Sequence, residues 1–156
     1  MKNTIAMFNF KPLLYLLSFL SLDSVTGQTI LNDKIRKEIY SVVDQYSHAR
    51  EQMDTILLKS ILTDDIDQLV SSGEWRIGIG TAVKGMMKSS AANSGSRKIV
   101  IDRYRLLNSA SALVDARYEI ANADGSARTM WSMFILVKAK NKWKIAAIRN
   151  MLPASQ

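Results

Sequence analysis

The sequence predicts an α+β domain in which a curved antiparallel sheet wraps over three N-terminal helices. Three observations carry that expectation. Apolar residues recur at helical spacing through the first half of the chain, the period changes to two from Lys98 onward, and short polar turns separate the extended runs that follow. Of the 156 residues, 47% are hydrophobic and 22% charged, the composition of one globular domain, and no repeat or internal linker marks a second.

The first residues read differently from the rest. Lys2 and Lys11 flank a start that leads into the apolar run PLLYLLSFLSL, residues 12–22. That run is about half the length that crosses a bilayer, and Val25 and Gly27 suit the small subsites before a signal-peptidase cut. The expectation is a cleaved signal peptide at 1–27, a single domain at 28–156, and export to a periplasmic or extracellular compartment. With no cysteine in the chain, export brings no disulfide, and stability must come from packing and sheet hydrogen bonds.

Asn32 is a candidate cap for a first helix whose Ile35, Ile39, Val42, Val43, Tyr46 and Ala49 form a buried stripe. Asp54 can cap a short second helix carrying Ile56, Leu57, Ile61 and Leu62. The segment IDQLVSSGEWRIG, residues 66–78, reads as short and extended. Gly78 opens a third helix with Ala82, Val83, Met86 and Met87, although Gly80 and Gly85 each weaken it by about 1 kcal/mol relative to alanine. It gives way to a loop, SSAANSGS, at 89–96. Four strands follow, at 98–107, 111–121, 127–139 and 142–151.

Two-residue turns at Asp124-Gly125 and Lys140-Asn141 fix a register. Glu119 then lies opposite Met130, Arg117 opposite Ser132, Asp115 opposite Phe134 and Leu113 opposite Leu136. On the next strand Leu136 faces Ile145, Phe134 faces Ala147 and Ser132 faces Arg149. One face therefore runs from Trp143, Ile145, Leu136, Phe134 and Leu113 into a polar end of Asp115, Arg117, Ser132 and Arg149. The other carries Val114, Ala116, Tyr118, Trp131, Met133, Ile135, Ala146 and Ile148 and is equally apolar. Helices cover only one face, so the second is expected to meet another copy of the chain, through Tyr118, Trp131, Met133, Ile135 and Ile148. A one-residue slip at either turn exchanges the faces.

Several stretches together resemble one family. VVDQYSHAREQMDTILLKSILTDDIDQLVSSGEWRIG, ALVDARYEI and SMFILVKAKNKWKIAAIRN carry Ala49 and Asp54 at the end of the first helix, the Asp64-Asp65 pair, Gly78 before the third helix and a closing Trp-Lys-Ile at 143–145. Over about residues 33 to 152 the chain resembles the nuclear transport factor 2-like superfamily, in particular its SnoaL-like bacterial branch and the related calcium/calmodulin-dependent kinase association domains. The resemblance implies a cone-shaped, cystatin-like fold enclosing a pocket, with dimerisation through the outer sheet face. It covers binders, isomerases, cyclases and dehydratases alike, so it implies no single activity.

Ketosteroid isomerases of that superfamily use a tyrosine late in the first helix, which Tyr46 matches. Their aspartate base would fall at Val70 to Ser72, where none stands, leaving Tyr46 and Asp115 as the only catalytic candidates. His48 is the single histidine and lies about 200° around the helix from Tyr46, so it is expected on the surface. Asp64, Asp65 and Asp67 lack the glycine and downstream glutamate of a calcium loop, and neither a metal nor another cofactor is expected.

The ligand-binding candidates are Arg149, Arg117, Ser132, Trp75 and Phe134. Two guanidiniums on neighbouring strands either clamp an anion or are answered internally by Asp115 or Glu119. The net charge of +7 could suit nucleic acid, but the basic residues are scattered, and the densest cluster, KAKNK at 138–142, sits on a turn. The leading expectation is binding of a small anionic or amphipathic molecule in the pocket. An isomerase, cyclase or dehydratase and an association module are the alternatives.

Overall fold

The computed structural model describes residues 22–92, 95–122 and 125–153, with side-chain environments from residue 32 onward. The chain divides into two compact units, Met1–Ile35 and Arg36–Gln156. Of the segment read as a signal peptide, residues 1–21 lie outside the described residues, and residues 22–27 are helical backbone. No helix among the described residues is long and apolar enough to cross a membrane.

Among the described residues, three helices and six strands follow one another as α1 (Leu22–Glu51), α2 (Thr55–Ile61), β1 (Leu62–Leu69), β2 (Trp75–Ile77), α3 (Ile79–Ala92), β3 (Gly95–Asn108), β4 (Ser111–Asn122), β5 (Ala127–Ala139) and β6 (Lys142–Met151). The first helix begins before Asn32, which lies inside it rather than capping it. Asp54 caps α2 as expected, its carboxylate accepting from the backbone N–H groups of Ile56 and Leu57 at 2.9 Å. Gly78, at φ +79°, turns the chain from β2 into α3. The third helix continues through Ser89 and Ser90 to Ala92, so half of the expected loop is helical.

The sheet runs β2-β1-β6-β5-β4-β3, and its one parallel pair joins β1 to β6. The remaining pairs are antiparallel. One face is buried beneath the helices. Ala112, Val114, Ala116, Tyr118 and Ile120 of β4, Met130, Ser132, Phe134 and Leu136 of β5, and Trp143, Ile145, Ile148 and Asn150 of β6 alternate with half-exposed neighbours. Within the second unit, Tyr46 of α1 meets the Phe134 ring edge-on with centroids 5.4 Å apart, which anchors the helix on the centre of the sheet.

Two local features overturn the expected register. The β4–β5 turn is closed by the pair Asn122 and Ser126, which have three residues between them rather than two: Asn122 N–H bonds the Ser126 carbonyl at 2.8 Å, Gly125 N–H bonds the Asn122 carbonyl at 3.1 Å, and Gly125 sits at φ +83°. A left-handed glycine closing such a loop is the three-residue hairpin solution. Arg117 consequently pairs with Trp131 and Asp115 with Met133, one position from expectation.

The Lys140-Asn141 turn is a two-residue turn with φ of 50° and 63°, and Leu136 does face Ile145. Beyond it one extra residue enters β6, so that Ile135 pairs with Ala147, Met133 with Arg149 and Ser132 with Asn150. The bulge reverses the facing of the end of β6. Arg117, Asp115, Leu113 and Arg149 therefore lie on the outer face, whereas Tyr118 and Ile148, expected at an outer interface, are core residues.

Candidate functional site

The second unit buries an unusual set of polar side chains under α1 and α3. Arg50 belongs to the stripe Ile39, Val43, Tyr46, Arg50, four and three residues apart, so the helix that buries its apolar face carries a guanidinium inward with it. Arg76 stands on β2 directly opposite Gln68 of β1. Arg97 is the inward residue of β3 opposite Ile120. These three arginines are 4%, 8% and 7% exposed, and among the described residues no aspartate or glutamate is buried.

Each guanidinium is held differently. Arg50 donates from Nη1 to the Tyr46 hydroxyl at 2.9 Å and from Nε to Ser90 Oγ at 3.0 Å. No carboxylate among the described residues pairs with it. Arg97 donates to the Tyr118 hydroxyl at 3.3 Å and to the carbonyls of Ser89 and Ser90 at 3.3 and 3.5 Å. Those carbonyls belong to the last turn of α3, which has no intrahelical donors left for them and whose dipole favours a cation. Arg76 is gripped by Glu74, Nε to Oε1 at 2.8 Å and Nη2 to Oε2 at 3.3 Å, with Gln68 Oε1 at 3.5 Å from Nη1.

A cavity of about 40 Å³ lies between these groups, walled by Arg50, Gln68, Arg76, Arg97, Tyr118 and Asn150, with Ser71 and Arg128 also on its wall. At 10–15 Å³ per water this is room for about three waters, the size of a carboxylate rather than of a ring. Its walls are rich in donors. Arginine has no acceptor, the Tyr118 phenol of the wall spends a lone pair on Arg97, and the Tyr46 phenol, which does not line the cavity, spends one on Arg50. Gln68 and Asn150 spend carbonyl oxygens on Arg76 and on the Ser132 hydroxyl, the latter at 2.7 Å. Burial pushes the Tyr46 phenol above its ordinary pKa, with the Arg50 charge pulling part of the way back, so the phenol keeps its proton. Glu74 is held below the usual carboxylate range by its hydrogen bonds to Arg76 and by that charge.

No protein-family model matches the sequence, and no curated protein does. Solved structures match it over most of its length. An NTF2-like protein with a cystatin-like fold from Novosphingobium aromaticivorans is 12% identical, covering 87% of this chain and 92% of its own, at a TM-score of 0.70. An NTF-2 like protein of unknown function from Shewanella oneidensis is 16% identical, covering 74% of this chain and 98% of its own, at 0.65. A putative calcium/calmodulin dependent protein kinase II association domain from Xanthomonas campestris is 18% identical, covering 76% and 88%, at 0.64. This chain has the NTF2-like, cystatin-like fold.

On that NTF2-like frame the residues singled out in the sequence fall into two groups. Ser132 and Phe134 face inward beside Tyr46, whose hydroxyl ties Arg50. Arg149, Arg117, Asp115 and Trp75 are on the outside. Arg149 pairs with Asp67 at 2.6 Å, and its guanidinium carbon lies 4.7 Å from the centroid of the half-exposed Trp75 ring. Arg117 pairs with Asp102 at 3.2 Å and Asp115 with Arg103 at 2.6 Å. Tyr46 and Asp115, the two catalytic candidates, are thus separated by the sheet. His48 is exposed, and Asp64 and Asp65 are exposed at the strand entry. Among the described residues no group of three or more histidine, aspartate or glutamate side chains is placed to hold a metal.

Sequence reasoning missed Arg50, Arg76 and Arg97. A signal for the first was present, since position 50 continues the buried stripe through Tyr46. A second signal was Gly85, read as a weakness of α3. A Cβ at that position would lie 2.4 Å from Arg76 Nε. The glycine is the slot through which the buried guanidinium crosses the helix.

Proposed function

We propose that this domain binds a small carboxylate or similar oxyanion in the arginine-walled cavity of the NTF2-like fold. The observation that carries the reading is the burial of Arg50 with no carboxylate partner among the described residues. A buried charge lacking a counter-ion costs several kcal/mol, and an anion removes most of that cost. Arginine forks suit a carboxylate better than any neutral group. Binding is favoured over acid–base chemistry because Asp115 lies across the sheet from Tyr46 and is taken by Arg103.

The test is native mass spectrometry of protein purified from its own host. Wild type is expected to carry an extra small-molecule mass, or to acquire one with added propionate, and Arg50→Met to carry none. Wild type that stays bare with propionate present contradicts the reading.

Two companion readings follow from particular features. Trp131 and Met151, paired across β5 and β6, stand about half exposed on the same face as Met133 and Ile135, which supports a homodimer formed there. Trp131→Lys is expected to convert a dimer to monomer in the same spectra, and a wild-type monomer refutes it. The Lys-flanked apolar run at 12–22 supports export. Protein secreted by an expression host is expected to begin at Gln28, and full-length protein confined to the cytosol refutes it.

A further inference from the structure

Resting on the anion-binding reading, a count of charges at the cavity defines its ligand more closely. Three guanidiniums are buried there, but they are not equally available. Arg97 is engaged by Tyr118 and by the end of α3. Arg76 is answered by Glu74, whose carboxylate meets it with both oxygens from a position 56% exposed on the solvent side. Arg50 alone among the three meets only hydroxyls and the Tyr46 ring, whose centroid lies 5.7 Å from its guanidinium carbon.

The Glu74–Arg76 fork is a built feature rather than a surface accident. Arg76 passes over α3 at Gly85, where any side chain would strike Nε, Cδ and Cζ within 2.6 Å. A helix that accepts a glycine in its interior loses about 1 kcal/mol relative to alanine. Here that cost keeps Arg76 at the cavity wall, where Glu74 and Gln68 fix its fork.

The geometry points to Glu74 as the residue that sets ligand charge: the cavity accepts a monocarboxylate on Arg50 and disfavours dianions, because Glu74 already occupies Arg76. A second negative group brought into about 40 Å³ would meet an Arg76 whose charge Glu74 already answers, and the remaining guanidinium of the wall, Arg128, is exposed and bonded to Ser71. Discrimination then comes from an acid of the chain itself, Glu74, acting against the wrong ligand as much as from attraction to the right one.

Propionate and malonate share a three-carbon frame and differ by one carboxylate, so they read this out directly. In calorimetric titrations of the full chain, wild type is expected to prefer propionate by about tenfold. Glu74→Gln is expected to raise malonate affinity by about tenfold, more than it raises propionate affinity, so that the preference narrows. An unchanged preference in Glu74→Gln, with propionate still bound, overturns the role of Glu74 and leaves the anion site standing. Failure of both proteins to bind either anion overturns the site itself, and the assignment of Glu74 with it.

Discussion

Arginines on the two sides of the sheet stand under opposite conditions. Outside, Arg103, Arg117 and Arg149 each meet a carboxylate, Asp115, Asp102 and Asp67, at 2.6, 3.2 and 2.6 Å. Inside, Arg50 is 4% exposed and meets none among the described residues. Exposed pairs contribute little because water screens them and the side chains lose freedom, whereas an unanswered buried charge is costly enough to need an explanation. The contrast teaches where to look for function: a compensated arginine belongs to the scaffold, and an uncompensated one marks a place left for something else.

That contrast can be sharpened by removing groups from each face. The largest loss is expected for Phe134→Ala on the inner face, about 3–5 kcal/mol by denaturant unfolding, since the ring is fully buried against Tyr46. Arg149→Ala on the outer face loses a half-exposed ion pair and the stack on Trp75, and is expected to cost about 1 kcal/mol with propionate affinity unchanged. A loss of propionate binding in that variant would break the assignment of the outer arginines to the scaffold. Arg103→Ala, at the most exposed of the pairs, is expected to cost a few tenths of a kcal/mol.

A pH titration separates the faces in another way. The Tyr46 phenol has its pKa raised in the folded protein, chiefly by burial. Its contribution to stability is therefore complete below the unfolded value of about 10 and is lost as pH rises through the folded value. Wild type is expected to lose stability above about pH 10 more steeply than Tyr46→Phe, and parallel curves for the two proteins would contradict the buried phenol.

The fold was largely legible and the site was not, and the reason is register. The ends of the last two strands, the Asp54 cap and the Lys140-Asn141 turn can be read from residues because each has a local chemical signature. The face on which a strand residue lies depends on counting, and the count failed twice. Asp-Gly signals a two-residue turn, yet here the glycine closes a three-residue loop, and nothing in IAAIRN announces the residue that bulges out of β6. Each slip turned charges from one face to the other, so Arg117 and Arg149 were placed inside. The arginines that are inside sit where the counting was local: Arg50 on a helix stripe, and Arg76 opposite a helix glycine that has no purpose in α3 alone.

The central claim is that Arg50 is kept for a ligand and not for the fold. Equilibrium unfolding of wild type and Arg50→Met without ligand, paired with propionate titrations of both, tests it most directly. Replacing an unanswered buried charge by an apolar side chain of similar length is expected to leave the protein as stable or about 1 kcal/mol more so, while propionate binding falls by at least about tenfold. A loss of about 3–5 kcal/mol with propionate binding retained would contradict the account, making Arg50 a structural clip between Tyr46 and Ser90.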